Sequence, residues 1–495
     1  MTDRTDGYLT DIGYTHGYYA ELNPLRARLA LLNAGLKVPQ MGAACELGFG
    51  QGLSLNIHAA ASATRWHGTD IIADHAATAR QLAAASGAAV GICQDSFEEF
   101  GARHDLPAFD YIGLHGVWTW ISDRNRAVIV DFVRRKLKPG GVLYIDYNTL
   151  PGWTGVSPLR HLLVEHAHRT DAQDRGIVER IDDALTFSDR LLATNPEYLR
   201  ENPQLLERLK TLKKEDRRYL AHEYFNHDWA PMHFATVQRW LEPAAVSYIC
   251  SADFADHVEA LNLSEPQRRL LGEIDDPGFR QSVRDFLINQ HFRRDYWIKG
   301  AAKLSDAERA DALRQERVVS VTHRSDLPFK LRAALALNRT GPGEAVYAPI
   351  LAQLADRKAH TLGEIGQAVE SRGIDLAQVV ETVILCASCN QLAAAQDEAA
   401  TAAARGHTDK LNTHLIGKAQ TSGDIGDLAS PVTGGGIPVE RVEQLFLAAL
   451  RQGKTQPEEW AHEASKVVAD ADDLTPRART FASETLPVLQ ALQVV

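Results

Sequence analysis

The stretch ELGFGQG, residues 46–52, joins a short run of small and apolar residues at 43–47 to a helical stretch at 53–63. Its glycines, at positions 48, 50 and 52, let the backbone turn tightly and bring the amides of a helix N-terminus close to a ligand. A dinucleotide-binding loop of the G-x-G-x-x-G type would need glycine at position 53, where this chain has Leu53. A P-loop would need Lys followed by Ser or Thr, and neither follows. The stretch therefore predicts a ligand-binding loop between a strand and a helix that is neither of these two types.

Strand-like and helical segments alternate around this loop, from about residue 43 to residue 147. Strands are predicted at 43–47, 66–72, 88–93, 109–114 and 142–147, with helices at 53–63, 73–86 and 124–137. Strands spaced about 25 residues apart with helices between them indicate βαβ units and a parallel sheet. The predicted fold class is therefore α/β.

After residue 147 the pattern becomes mostly helical. A helix at 234–241 and a strand at 246–250 could rejoin the sheet, which would make 159–220 an insertion. Farther on, short helices at 348–355, 362–370 and 376–387, with short strands at 318–321 and 345–347, predict an α+β, winged-helix-like module. The third of these helices has acidic residues and no Lys or Arg, which favours a packing or protein-contact role over reading DNA. The ranges 398–404 and 421–436 are predicted as loops or linkers.

The composition is that of a globular protein. The 495 residues are 45% hydrophobic and 24% charged, which excludes disorder as the main state. With 53 Lys plus Arg and 64 Asp plus Glu, the net charge is −11, and nucleic acid is disfavoured as a partner because its phosphates need basic counterions. Residues 1–10 show no secretory signal, no apolar run is long enough to insert in a membrane, and five cysteines form no disulfide framework. We expect a cytoplasmic protein with reduced thiols.

Acidic residues follow the second and third strands at matching places. Asp70 comes 24 residues after Glu46, and Asp95 comes 25 residues after Asp70. Each alone is as well explained by a strand-end or capping role, but an acid after the second strand can also accept hydrogen bonds from ribose hydroxyls. The spacing E-x-G-x-G-x-G, together with these acids, resembles the first motifs of class I S-adenosylmethionine-dependent methyltransferases.

This resemblance implies a Rossmann-like sheet and S-adenosylmethionine as the cofactor. It implies that Asp70 binds the ribose and that Asp95 binds the adenine amino group. The residues expected to contact the cofactor are Glu46, Gly48, Phe49, Gly50, Gly52, Asp70, Ile71, Asp95, Ser96 and His115. After the fourth strand the chain lacks Asn or Asp followed by Pro-Pro and an aromatic residue. Its absence counts against a nucleobase substrate.

Further segments resemble one bacterial group in this family, the methyltransferases with an appended methyltransferase regulatory domain. They include YTHGYYAELNP at 14–24, YNTLPGW at 147–153 and HEYFN at 222–226. The best understood members of the group methylate lysines of bacterial outer-membrane proteins. The resemblance implies a methyltransferase core at 1–158, a helical insertion suited to dimerisation at 159–220, a regulatory or middle domain at 221–300 and a C-terminal domain at 301–495.

A lysine acceptor must lose its proton before it is methylated, and an apolar, aromatic pocket favours this because it disfavours the ammonium form. Aromatic faces also attract a methylated ammonium. The methyl-transfer site is therefore predicted to be lined by Tyr14, Tyr18, Trp118, Tyr147 and Asn148, with His115 nearby. Core packing is the alternative for each aromatic residue, and a strand-end hydrogen bond competes with proton transfer for His115. No metal site is predicted, because Cys386 and Cys389 lack a second pair of ligands.

The leading hypothesis is an N-methyltransferase that acts on lysine side chains of a protein, with appended domains that position the polypeptide and mediate formation of a homodimer. The alternative keeps the cofactor and changes the acceptor to a peptide or small-molecule natural product, methylated on N, O or S. A third hypothesis makes the C-terminal half a protein-binding module and the core a sensor of the cofactor.

Overall fold

The computed structural model describes residues 8, 12–169, 175–323, 343–468 and 473–495. Most of the N-terminal stretch expected to lack a secretory signal, residues 1–7 and 9–10, lies outside the described residues. No helix within the described ranges is long and apolar enough to cross a membrane.

The centre of the molecule is a seven-stranded, mostly parallel sheet. Its strands are β1 (Ala43–Leu47), β2 (Arg65–Thr69), β3 (Val90–Cys93), β4 (Phe109–Leu114), β5 (Leu137–Asn148), β6 (Val246–Ser251) and β7 (Phe292–Lys299). Their order is β3-β2-β1-β4-β5-β7-β6, and only β7 runs antiparallel to its neighbours. The α/β fold class predicted from the sequence is confirmed.

Helices cover both faces of this sheet, because successive strand residues alternate between the two faces. On one face lie α1 (Pro24–Asn33), α2 (Leu53–Ala61) and α3 (Ala73–Ser86), and on the other lie α4 (Phe97–Ala102) and α5 (Asp123–Lys136). These helices leave open the crevice outside the carboxyl ends of the parallel strands, and this crevice is where such sheets bind ligands.

A helical insertion separates β5 from β6. Its helices are α6 (Ser157–Arg169), α7 (Ile177–Ala193), α8 (Glu197–Glu201), α9 (Leu205–Leu212) and α10 (Arg217–Glu223). They bury their own apolar cluster, which includes Ile181, Leu209 and Leu220. The segment thus has a core of its own, apart from the sheet.

Residues 221–300, predicted as a regulatory or middle domain, contribute two strands to the central sheet, which the sequence pattern had left open for 246–250. The range contains α11 (Phe234–Leu241), α12 (Glu265–Gly272) and α13 (Pro277–Leu287) in addition to β6 and β7. Sequence patterns did not predict β7, because it contains Arg293 and Asp295, which are both buried and pair with each other at 2.9 Å. The central sheet therefore includes two strands that follow residue 158 in the chain.

The remaining chain forms an α+β C-terminal region. Its elements are α14 (Asp306–Gln315), β8 (Arg317–Ser320), α15 (Glu344–Gln353), β9 (His360–Thr361), α16 (Leu362–Val369), α17 (Leu376–Ser388), β10 (Leu392–Ala395), α18 (Glu398–Lys418), β11 (Asp427–Ser430), β12 (Gly435–Pro438), α19 (Arg441–Arg451), α20 (Pro457–Ser465), α21 (Thr475–Thr480) and α22 (Leu486–Ala491). Strands β8, β9 and β10 form an antiparallel sheet that packs with α15 to α17. The winged-helix-like assignment stays a prediction.

Three local predictions in this region are wrong. Residues 345–347 are helical, because their apolar run continues through α15. Residues 398–404 begin α18, whose N-cap Asp397 accepts a hydrogen bond from the amide of Ala400 at 2.8 Å. The glycine-rich range 421–436 contains most of the β11–β12 hairpin. Helix α18 packs on α2, which explains why α2 is buried along its whole length.

Candidate active site

The loop at residues 48–52 adopts a backbone conformation that requires glycine. Gly48, Gly50 and Gly52 have positive φ values of 73°, 56° and 73°. A Cβ atom at Gly48 would lie 2.6 Å from Cγ2 of Val117, and one at Gly52 would lie 2.5 Å from Cβ of Ala79. Glycine therefore lets the loop approach both neighbouring segments closely.

Asp70, directly after β2, holds this loop in place. Its Oδ2 accepts a hydrogen bond from the backbone N–H of Gly50 at 2.9 Å, and its Oδ1 accepts one from that of Ile72 at 2.9 Å. Nδ1 of His75 lies 3.1 Å from the same Oδ1, while Nε2 of His75 accepts a hydrogen bond from the amide of Tyr14. Because Nε2 is the acceptor, a neutral His75 donates its Nδ1 proton to Asp70. A carboxylate has about four lone-pair sites, so Asp70 retains room for one further donor.

Glu46, in β1, is a buried carboxyl whose Oε2 has no hydrogen-bond partner among the described residues. Burial, and secondly the charge of Asp70, raises the pKa of Glu46 to about 8. A cationic group entering the cavity beside it would stabilise the ionised form and satisfy the orphaned oxygen.

Asp95 and Ser96, which follow β3, lie in the same cavity. Oδ2 of Asp95 is 3.2 Å from Nη1 of Arg103, and its backbone carbonyl accepts a hydrogen bond from the hydroxyl of Thr69 at 2.6 Å. Ser96 is the N-cap of α4 and forms a capping box with Glu99. The acids that follow β2 and β3 thus converge on one site with Glu46 of β1.

The cavity has a volume of about 740 Å³, a size that suits a cofactor together with part of a substrate. The part that we call the loop end is lined by Glu46, Gly48, Phe49, Gly50, Asp70, Ile71, Asp95 and Ser96. The part that we call the aromatic end is lined by Tyr14, Trp120, Asn148, Trp153, Tyr219, Glu223 and Tyr224. His115 and Tyr19 also line the cavity.

The N-terminal segment connects the two ends. The side-chain amide of Gln51, in the glycine loop, donates a hydrogen bond to the carbonyl of Tyr14 at 3.0 Å. The hydroxyl of Tyr14 donates to Oε1 of Glu223 at 2.9 Å. Nε2 of His222 donates to the carbonyl of Ile12 at 2.8 Å. The segment is therefore fixed both to the glycine loop and to α10.

Glu223, at the end of α10, is the carboxyl of the aromatic end. Burial raises the pKa of Glu223 to about 8. The hydrogen bond from Tyr14 lowers this pKa, and the negative charge of Asp146 raises it by a smaller amount than burial does. Its backbone carbonyl accepts a hydrogen bond from the indole N–H of Trp120 at 3.2 Å. Within the described part of the chain, Oε2 of Glu223 has no hydrogen-bond partner.

His115, directly after β4, is held by groups on β5. Its Nδ1 lies 2.6 Å from Oδ2 of Asp146 and 3.1 Å from the hydroxyl of Tyr144. Oδ1 of Asp146 accepts a hydrogen bond from the amide of Gly116 at 2.8 Å. The ring of Tyr19 stacks on the imidazole, with centroids 3.5 Å apart. Asp146 thus fixes both the orientation of His115 and the turn that follows it.

Three aromatic residues predicted for the methyl-transfer site lie outside the cavity, and these predictions are wrong. Tyr147 is buried on the opposite face of the sheet, where its hydroxyl donates a hydrogen bond to Oδ2 of Asp295 at 2.8 Å. Trp118 is buried in the same apolar cluster. Tyr18 packs against the β11–β12 hairpin, because Gly435 and Gly436 leave room for its ring.

Strand geometry explains the error at Tyr147. Neighbouring strand residues point to opposite faces, so Tyr147 and Asn148 cannot both face the cavity. Asn148 lines the cavity, and Asp146, two residues earlier, contacts His115 on the same side. Gly52 shapes the loop without lining the cavity.

Sequence patterns missed several residues of the site. The period of two along β5 could have identified Asp146 from Asn148. No local signal marked Glu223 as a partner of Tyr14, because 209 positions separate the two residues. Within the described ranges, no group of three or more His, Cys, Asp or Glu side chains is arranged to hold a metal ion.

Comparisons with known proteins agree with this geometry. A family model described as a methyltransferase domain matches residues 44–141, and one described as a predicted methyltransferase regulatory domain matches residues 216–299. The chain is 35% identical to the uncharacterized protein sll1526 of Synechocystis, over 99% of both chains. It is 27% identical to the uncharacterized protein RP789 of Rickettsia prowazekii, over 37% of this chain and 33% of that protein.

Among solved structures, PKMT2 from Rickettsia typhi, in complex with AdoHcy, has the same fold over nearly the whole chain. The match has a TM-score of 0.68 at 15% identity and covers 97% of this chain and 99% of PKMT2. The glycine loop, the three strand-end acids and both matching family models lead to one conclusion. The chain belongs to the class I methyltransferases that carry a methyltransferase regulatory domain, and S-adenosylmethionine is its cofactor.

Proposed function

We propose that this methyltransferase transfers the methyl group of S-adenosylmethionine to the side-chain amine of lysine in a protein substrate. The observation that supports the proposal best is the aromatic end of the cavity, which is lined by aromatic side chains and by Glu223, whose carboxyl accepts a hydrogen bond from Tyr14. An alkylamine arrives in water as a cation, which a carboxyl group and aromatic faces attract. It reacts only as the neutral amine, which a water-poor, apolar pocket favours.

The loop end offers groups that fit each part of the cofactor. We assign Asp70 to the ribose, Asp95 to the adenine amino group and Glu46 to the cationic amino group of the methionine part. The orphaned Oε2 of Glu46 supports the third assignment, and the single remaining acceptor position of Asp70 limits the first to one new hydrogen bond. When bound, S-adenosylmethionine supplies a methyl group on a positively charged sulfur. A neutral nucleophile attacks the methyl carbon, and the sulfur leaves as a neutral thioether.

The chain itself contributes position and exclusion of water. Orienting two reactants in a site provides much of the acceleration for a displacement that needs no further chemistry. Asp146 holds His115 and the turn after β4, while the N-terminal segment is fixed over the glycine loop through Tyr14. These contacts order the walls of the cavity before any substrate binds.

Two further observations support a protein acceptor. The chain shares its fold with PKMT2 over nearly its whole length, including the regions outside the methyltransferase core. The segments at 14–24, 147–153 and 222–226 resemble the lysine methyltransferases of bacterial outer-membrane proteins. A homodimer and a cytoplasmic location stay predictions.

The test is to incubate the protein with methyl-labelled S-adenosylmethionine and a lysate of its own host, and then to analyse the products by mass spectrometry. We expect label on defined lysines of a small number of proteins. Label confined to peptides or small molecules would replace the proposal with the natural-product alternative. No transfer at all, with the cofactor still bound, would favour the sensor hypothesis.

A further inference from the structure

The carboxyl group of the aromatic end, Glu223, comes from the segment that the family model describes as regulatory. Glu223 and Tyr219 lie within residues 216–299, and so does Tyr224. Their side chains line the same cavity as the glycine loop of the core. A segment described as regulatory therefore forms a wall of the active site.

The contacts of Glu223 leave one of its oxygens available. The hydroxyl of Tyr14 donates a hydrogen bond to Oε1, which fixes the side chain of Glu223. The indole N–H of Trp120 donates to its backbone carbonyl, which fixes the end of the helix. In the described part of the chain, Oε2 makes no hydrogen bond. The aromatic side chains of Trp120, Trp153 and Tyr219 line the cavity around it.

We infer that Glu223 binds the amino group of the acceptor and takes its proton before methyl transfer, and that Tyr14 positions the carboxyl for this step. The inference rests on the proposed function in one respect, that the acceptor is an amine. It assigns a catalytic residue to the segment described as regulatory.

The proton transfer balances within the pair. The acceptor enters as an ammonium, one N–H bond breaks, and the proton binds to Oε2 of Glu223. The electron pair of that bond stays on nitrogen as the lone pair that the displacement needs. When the product leaves, the proton of Glu223 returns to water.

The electrostatic surroundings suit this exchange. Burial raises the pKa of Glu223 to about 8, so the carboxyl binds a proton more readily than an exposed glutamate. Burial also raises the pKa of the phenols that face it, which stay neutral: Tyr8, Tyr14, Tyr19, Tyr219 and Tyr224. Burial lowers the pKa of His222. Asp146 of β5 adds a negative charge, and Arg208, which donates to the hydroxyl of Tyr224, adds a positive one.

His115 is the competing base in the cavity. Its Nδ1 is already bound to Asp146, and the ring of Tyr19 covers one face of the imidazole. A neutral imidazole also lacks the negative charge that would attract an ammonium. We therefore assign His115 to the shape of the site and Glu223 to the proton.

The test uses n-butylammonium, which has the length and charge of a lysine side chain, and 1-butanol as its neutral counterpart. Binding of each is measured by calorimetry on the full chain saturated with S-adenosylhomocysteine. We expect butylammonium to bind the wild type and to bind Glu223→Gln at least about tenfold more weakly, as for loss of a hydrogen bond to a charged group. 1-Butanol should bind both proteins equally. Because the pKa of Glu223 is about 8, binding at pH 7 should release close to one proton from the wild type and none from Glu223→Gln.

Three variants serve as controls. Glu242→Gln removes an exposed carboxyl outside the cavity and should behave as the wild type. Tyr14→Phe should weaken butylammonium binding less than Glu223→Gln does, because it leaves the carboxyl in place. His115→Asn should retain the proton release. The affinity for S-adenosylhomocysteine, unchanged in Glu223→Gln, verifies that this variant is folded.

Equal binding of butylammonium to the wild type and Glu223→Gln would overturn the inference, and so would its failure to bind the wild type. Loss of proton release in His115→Asn alone would transfer the role to His115. The proposed function fails separately, when the labelled lysate shows no methylated lysine. Butylammonium binding through Glu223 would then indicate a different amine as the acceptor.

Discussion

The two ends of the cavity contain similar carboxyls in very different frameworks. Glu46 at the loop end is buried and Glu223 at the aromatic end is half-buried, and burial raises the pKa of each to about 8. Glu46 lies in a strand directly before the glycine loop, and its neighbours come from consecutive βα units. Glu223 lies at the end of a helix in an insertion, and its partner Tyr14 is 209 positions away.

The difference shows how the two halves of such a site are specified. The loop end binds a constant part of the reaction, so a short local pattern suffices to build it. The aromatic end is assembled from the N-terminal segment, the turn after β4, the end of β5 with the residues that follow it, and the regulatory segment. Under the proposed function it has to match the acceptor. Variants at one end should therefore leave the other end intact.

The largest effect is expected at the aromatic end. Glu223→Gln should lower kcat by roughly 10²–10⁴-fold, the usual contribution of a positioned base, with cofactor affinity within about twofold of the wild type. At saturating cofactor, the wild type should gain activity as the pH rises through about 8, and this dependence should be absent from the variant. Steady-state kinetics on the acceptor identified by labelling provide the measurement. A variant with wild-type kcat and pH profile would contradict the assignment.

At the loop end, Asp70→Ala should weaken cofactor binding by about 1.5–3 kcal/mol, the value for hydrogen bonds to a charged group. This corresponds to roughly 10- to 150-fold in affinity. This loss of affinity includes the effect of losing the hydrogen bonds between Asp70 and both Gly50 and His75, which position the loop. Calorimetry with S-adenosylhomocysteine measures it, and Asp74→Ala, an exposed acid at the start of α3, is the matched control. An affinity equal to that of the control would remove Asp70 from the site.

Tyr147, next to the cavity-lining Asn148, separates structural from functional roles. Tyr147→Phe removes the hydrogen bond to Asp295, and we expect the free energy of unfolding to fall by about 1–3 kcal/mol. Turnover and cofactor affinity should stay near wild type, because the side chain lies on the far face of the sheet. Urea denaturation and kinetics on the same preparation test both statements. A large loss of turnover at full stability would return Tyr147 to the active site.

The smallest expected change concerns Glu46. Cofactor binding should ionise this carboxyl, so S-adenosylhomocysteine should release close to one proton at pH 7 from the wild type, given a pKa of about 8 in the free protein. Glu46→Gln should release none, and its affinity for butylammonium should stay unchanged. Calorimetry in buffers of different ionisation enthalpy measures the protons. Equal release by both proteins would assign the titration to another group.

The sequence predicted the loop end well because each of its residues follows a strand of a regular βα repeat. Asp70 and Asp95 could be placed beside Glu46 from spacing alone, since carboxyl ends of parallel strands meet at one edge of the sheet. Prediction failed where one residue decides the face. Tyr147 and Trp118 lie in aromatic segments near the cavity, yet they point away from it, whereas Asn148 and Trp120 line it. Strand β7 was missed because its buried charges interrupt the apolar pattern.

By itself, the sequence determined the α/β core and the glycine loop, because these depend on contacts between adjacent βα units, and its resemblance to class I methyltransferases implied the cofactor. Tertiary structure alone decided the aromatic end. Glu223 becomes a half-buried, hydrogen-bonded carboxyl only when α10 packs against Tyr14 and Trp120. Its proton affinity arises from that burial, since the energy of a charge depends on its surroundings rather than on its place in the chain.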